Sequence, residues 1–256
     1  MELIYVYILI GFIGGITAGM LGLGGGIIFV PGLMIIHKYF DMFSGHELQV
    51  AVYTSLICII FAGSTSSYLH YKNKLINLKL VRKYFIFVSV GCFFGIYILE
   101  HTSSELLEII YSLILIVLAM LLISDARIIK DNIKTLDKIG YLYFFSNGTI
   151  SSLMGIGGGT LSVPYLSFII NDIKKSIATA SAIGLIIAIT SLIYMFILNA
   201  SIYTEKLNHL SLLILIPSSI LGSYTGVLLL KIIDPEKVKN IFSALLIVVA
   251  FYLLID

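Results

Sequence analysis

The sequence predicts an all-α polytopic membrane protein built from two inverted-topology repeats. Each repeat holds a Gly-broken re-entrant or short helical hairpin followed by three transmembrane helices. Three observations predict it. Of 256 residues, 59% are hydrophobic and 12% charged, about half the charge of an ordinary soluble domain, and the mean hydropathy is +1.06. A Gly-rich segment occurs twice in nearly the same form. The basic residues divide most unevenly between loops when the second half is turned over.

The composition excludes a disordered chain, an ordinary cytosolic enzyme and a nucleic-acid binder, because a net charge of +2 offers no basic face to a polyanion. The opening MELIYVYILI has no basic stretch and no small-residue cleavage site, so it reads as a retained span rather than a signal peptide. Cys58 and Cys92 lie in apolar runs without a Cys or His at metal-ligand spacing, which predicts packed thiols, no metal and no cofactor.

Hydropathy divides the chain into apolar blocks at 3–36, 48–71, 84–99, 106–124, 139–170, 177–198, 210–230 and 241–255. The first and fifth are too long for one crossing and too short for two. At about 1.5 Å per residue, some 33 residues make roughly 50 Å of helix, against about 30 Å for each crossing. A hairpin bent at its glycines fits better. The bends are GLGGGIIFVP, Gly22 to Pro31, and GIGGGTLSVP, Gly155 to Pro164, identical at six of ten positions. Further landmarks follow in the same order: Ser55 with Ser181, Ser64/Thr65 with Thr190/Ser191, Gly91/Gly95 with Gly222/Gly226, and Glu105 with Glu236. The expected organisation is a first repeat at 1–124, a cytoplasmic linker at 125–137 and a second repeat at 138–256. Gly91/Gly95 and Gly222/Gly226 read as small-residue contacts between helices.

Loop charges orient the halves. With both long blocks crossing once, Lys and Arg divide 10 to 6. With both re-entrant, 14 lie inside and only Lys38 and Lys206 outside. The positive-inside rule selects the second arrangement. Both termini are then outside, the linker is cytoplasmic and the expected location is the plasma membrane.

Three consecutive glycines are poor helix formers, and irregular backbone at membrane depth survives only inside protein or beside a wet cavity. Broken helices at Gly24, Gly25, Gly26 and at Gly157, Gly158, Gly159 would expose amides and positive dipole ends, an anion site made without a charged side chain. Gly22, Pro31, Gly155 and Pro164 frame the breaks. No Asp, Glu, Lys or Arg falls in the interior of a block, and His70 is the other titrating candidate, at the end of the second block. The spans offer hydroxyls and amides instead, including Thr54, Ser55 and Ser66 in the first half and Asn147, Ser151, Thr179 and Ser181 in the second. Thr54, Ser55, Thr179 and Ser181 are the candidates to replace an anion's hydration shell beside the glycines.

At these residues the chain resembles the TauE/SafE family of membrane transporters. The resemblance rests on the doubled G-x-GGG-xxxx-P motif, on Thr54-Ser55-Leu56 with its counterpart Ala180-Ser181-Ala182, and on the basic loop from His70 to Asn77. Position 180 departs from the family pattern by lacking a hydroxyl, and Lys74 stands where Gly is usual. The resemblance implies the family fold and export of a sulfur-containing anion such as sulfite or an organosulfonate. The expected partners are a small anionic substrate and the lipid bilayer, and the sequence leaves room for a homo-oligomer. The alternatives are a transporter or channel for another small organic anion, or a non-transporting intramembrane enzyme or assembly partner. The last would need a converging Ser/His or Cys/His set, which the spacing does not offer.

Overall fold

The two glycine clusters are where long helices stop and short ones begin. The computed structural model describes residues 2–22, 24–40, 42–43, 45–123, 133–198, 209–230, 232–233, 247 and 250, and every regular element among them is a helix. The first half contains α1 (Glu2–Leu21), α2 (Gly26–Tyr39), α3 (Glu47–Lys72), α4 (Leu78–His101) and α5 (Ser104–Ile123). The second contains α6 (Ile133–Met154), α7 (Gly159–Ile170), α8 (Ile173–Ile197) and α9 (His209–Leu229). Residues 125–132 of the expected linker, Lys206, Glu236 and nearly all of the last apolar block lie outside the described residues. Helix α6 begins at Ile133, inside the stretch expected to be linker.

Among the described residues five helices, α1, α3, α4, α8 and α9, are long and apolar enough to cross a membrane. At 20 residues, α1 extends about 30 Å. Its hairpin partner α2 has 14 residues and the matching α7 has 12, about 21 and 18 Å, short of a full crossing. Each hairpin therefore pairs a long arm with a short one. The short arms carry Pro31 and Pro164 at their sixth position. Having no N–H, each proline leaves the carbonyl four residues earlier, that of Ile27 or Thr160, without its helical donor.

Packing is reciprocal between the halves. Helix α1 lies along α9 and α6 along α4, while α3 and α8 meet in the middle, α2 covering α3 and α7 covering α8. A Cβ on Gly91 or Gly95 would collide with the carbonyls of Phe145 and Thr149, and one on Gly222 or Gly226 with those of Phe12 and Ile16. Phe12 and Ile16 are the repeat equivalents of Phe145 and Thr149. These glycine pairs are thus contact points at which the first helix of one half seats on the third long helix of the other. Ser67 Oγ is 3.5 Å from Ser181 Oγ, and a Cβ on Gly63 would be 3.9 Å from that of Leu185. Numbering rises along one helix as it falls along the other, so α3 and α8 cross antiparallel.

Large aromatic and aliphatic side chains fill the interior, among them Tyr7, Phe29, Tyr53, Tyr84 and Phe144, and both thiols are free and buried. The outer surface is apolar as well: Leu9, Ile86, Leu142, Phe196 and Leu213 are all exposed. Such a surface suits lipid and would be costly in water.

Candidate functional site

The two bends touch beside the midpoints of the two central helices. A Cβ on Gly24 would lie 3.0 Å from Gly157 Cα, and one on Gly157 would lie 3.2 Å from both Gly24 Cα and Ile59 Cγ2; one on Gly184 would collide with Gly157 O. Ile59 and Gly184 are near the midpoints of α3 and α8. The contact between the bends therefore falls halfway along the two central helices, although the residues are 133 positions apart.

Glycine is required here by conformation as well as space. Gly22, Gly24 and Gly25 have φ of 68°, 76° and 84°, and Gly155, Gly157 and Gly158 have 62°, 76° and 69°. Six left-handed residues in two short loops cost L side chains about 1 kcal/mol or more each. Gly25 and Gly158 are the N-caps of α2 and α7, and neither helix receives a side-chain cap. The amides of Ile28 and Phe29 bond Gly25 O at 2.9 and 3.0 Å, and that of Ser162 bonds Gly158 O at 2.9 Å. Earlier first-turn amides, of Gly26 and Ile27 and of Gly159 and Thr160, have no acceptor within their own helix. Two positive helix ends thus converge near the midpoints of α3 and α8.

No Asp, Glu, Lys or Arg side chain is buried among the described residues; the buried polar side chains are hydroxyls, two amides and the imidazoles of His37 and His70. No cluster of three metal-ligating side chains occurs among them either. The electrostatics at the bends come from amides and hydroxyls.

The hydroxyls expected beside the glycines are in different situations. Ser55 is at the contact: its Oγ donates to Gly155 O at 2.7 Å, tying α3 to the opposite bend. Thr54 donates to Val50 O of its own helix at 2.8 Å. Thr179 donates to Lys175 O at 2.7 Å and accepts from the Asn77 amide at 3.0 Å, which places it beside the α3–α4 loop. Ser181 donates to Ala178 O at 3.0 Å and sits near Ser67. His70 Nε2 is 3.3 Å from Gly19 O, just before the first bend.

A second group gathers at the α7 N-terminus. Ser151 Oγ donates to Asn147 Oδ1 at 2.8 Å, and Asn147 Nδ2 donates to Ser162 Oγ at 2.7 Å. Asn147 Oδ1 and Ser151 Oγ lie 3.3 and 3.4 Å from where a Gly158 Cβ would be. Thr160 is 2% exposed and its Oγ1 has no hydrogen-bond partner. A buried hydroxyl left unpaired costs about 1–3 kcal/mol. Thr160 and Ser162 were not among the sequence candidates. The signal was present: they are two of the four positions at which the repeated motifs differ, facing Ile27 and Phe29 in the first copy.

Two hairpins broken beside the midpoints of the central helices, within a bundle of long apolar helices, define a multi-pass membrane protein of the transporter kind. The sulfite exporter TauE/SafE family model matches residues 7–253, and the chain belongs to that family. Among curated proteins it is 27% identical to the probable membrane transporter protein YunE of Bacillus subtilis, over 98% of this chain and 97% of that one. It is 28% identical to a probable membrane transporter protein of Methanocaldococcus jannaschii, covering 99% and 96%. A probable membrane transporter protein of Haemophilus influenzae is 26% identical over 74% of this chain and 72% of its own. No solved structure matches the chain.

Proposed function

We propose that this membrane transporter exports a small sulfur-containing oxyanion, sulfite or an organosulfonate, across the plasma membrane through a site at the two glycine bends. The observation that carries this reading is the meeting of two uncapped helix N-termini near the midpoints of α3 and α8, where no charged side chain is buried. Amides and hydroxyls there can replace the hydration shell of an anion, whereas a cation would meet the wrong end of both dipoles. An inside-negative potential drives an anion outward by about 2.3 kcal/mol per charge per 100 mV, so export needs no buried proton relay.

In this reading the halves are inverted, both termini are outside, and the bends part and close alternately from the two sides. The antiparallel crossing of α3 and α8 and the 14-to-2 division of basic residues support it. Reconstituted proteoliposomes under a set potential should pass sulfite, methanesulfonate or ethanesulfonate; absence of flux for all three overturns the substrate class, and flux of acetate alone redirects it. Orientation is tested separately with Ile133→Cys and Lys174→Cys in a chain lacking Cys58 and Cys92. Both should label from the cytoplasmic face, and labelling from opposite faces sinks the inversion.

A further inference from the structure

We propose that the seam between α4 and α6 is a docking site for one anionic phospholipid. The headgroup phosphate sits on Lys79, Arg82 and Lys83, and an acyl chain lies along the exposed rings that follow them.

The two helices meet backbone to backbone. A Cβ on Gly91 would collide with Phe145 O, and one on Gly148 with Val88 O. Small residues thus draw the axes together, and the large ones beside them form a lip. On α4 that lip is Lys79, Lys83, Phe87, Val90 and Phe94, spaced by four, four, three and four residues and hence on one stripe of the helix. Tyr141 and Phe145 of α6 continue it across the seam. The Phe87 and Tyr141 rings are 4.6 Å apart, and those of Phe94 and Phe145 are 5.6 Å apart. Phe87, Val90, Phe94 and Tyr141 are all exposed. Eleven positions separate Lys83 from Phe94, about 16 Å of helix, against about 15 Å for one leaflet of hydrocarbon.

The charge gathers at one end of that stripe. Lys83 Nζ is 5.3 Å from the centre of the Tyr84 ring and 5.5 Å from that of Tyr141, which holds the ammonium at the junction of the two helices. Lys79 and Arg82 are exposed and make no ion pair among the described residues. Lys38, near the other end of α3, differs: it pairs with Glu108 at 3.2 Å. The bond from the Asn77 amide to Thr179 Oγ1 brings the start of α8 to the basic end as well. Of the two cations there, Lys175 pairs with Asp172 at 3.7 Å, and Lys174 adds to the positive potential. The repeat supplies a contrast. At the matching positions α9 carries Leu210, Leu213 and Ile214 for the three cations, and Ser218 and Thr225 for Phe87 and Phe94. It brings neither the charge nor the rings to its seam with α1. A chain-free phosphate would leave the rings of α4 uncovered, and a zwitterionic headgroup would press a cation of its own against the lysines. An anionic lipid matches both ends.

The test is lipid retention by the detergent-solubilised full chain in native mass spectrometry, with phosphatidylglycerol and phosphatidylcholine of the same acyl chains. Wild-type protein should hold phosphatidylglycerol about tenfold or more tighter. Lys79→Gln combined with Arg82→Gln should largely abolish that preference, at an unchanged melting temperature without lipid. Lys72→Gln combined with Lys174→Gln removes as much charge from the ends of α3 and α8 and should leave the preference unaltered. Glycerophosphoglycerol, the same headgroup without chains, should fail to displace the lipid at equal concentration. Equal retention of the two lipids by wild-type protein overturns the proposal. Equal losses in the two double variants mean that the whole basic end attracts anions without selecting the seam, which overturns it too. Displacement by the chain-free headgroup would reveal a free-phosphate site and remove the lipid from it.

Discussion

The first and second bends share a backbone and differ in lining. Both turn through three left-handed glycines, both start a short helix without a side-chain cap, and both carry a proline at its sixth position. Around the first, Phe29 packs on Gly14 and Gly25; around the second, Asn147 bridges Ser151 and Ser162. The repeat therefore preserves the shape needed for two helix ends to meet and lets chemistry diverge on the side chains behind them. Duplicated architecture does not imply a duplicated site.

The likeness of the backbones is broken most severely at the contact itself. Gly24→Ala introduces a Cβ 2.8 Å from Ile156 O and 3.0 Å from Gly157 Cα at a left-handed φ. It should abolish monodisperse behaviour in size-exclusion chromatography or depress the melting temperature strongly. Gly45 is the control. Its φ is 77° but nothing lies within 4 Å of the added atom, so Gly45→Ala carries the conformational strain alone, about 1 kcal/mol. Equal losses in the two variants would mean that the bends do not press on each other.

Next in size is the difference in lining. Phe29→Ala opens a cavity in the first half and should cost about 3–5 kcal/mol. Ser162→Ala strips the acceptor from Asn147 Nδ2 and should cost about 1–3 kcal/mol. Thermal unfolding in one detergent ranks them, and the reverse order would mean that the polar group is the greater structural support. A smaller contrast separates the two serines of the central helices. Ser55→Ala removes a bond to the opposite bend and should cost about 1 kcal/mol, whereas Ser181→Ala removes one mainly to its own helix and should cost less. Smallest of all, Thr54→Val trades a hydroxyl bonded within α3 for a methyl and should be near neutral; a large loss would place Thr54 in a role its hydrogen bond does not show.

Much of this was legible in the residues. Low charge and long apolar runs give helices in lipid, because a bilayer leaves the backbone no other economical way to satisfy its hydrogen bonds. Three glycines in a row, twice, give the breaks. What the residues did not disclose was which helix touches which. In lipid every apolar face resembles every other, and association is decided by close fit at small residues. Gly91 and Gly95 were recognisable as a contact, yet nothing along the chain says that they seat against Phe145 and Thr149.

The hydroxyls show the same limit. Ser55 and Thr54 are neighbours in sequence and similar in chemistry, but a turn of about 100° per residue sends one to Gly155 and the other back to Val50. Asn147 and Ser162 lie on the two arms of a hairpin, 15 positions apart, and meet only because the bend folds one arm onto the other. The sequence by itself determined that this is a helical membrane protein of two repeats, broken where glycine forbids a regular helix, since these follow from local backbone preference and from the bilayer as solvent. Only the tertiary structure decided that the breaks touch beside the midpoints of the central helices and that one is polar and the other sealed by a phenyl ring. The contact depends on shape matching between residues 133 positions apart, and the linings on arms 15 positions apart that only the bend brings together, which no local pattern encodes.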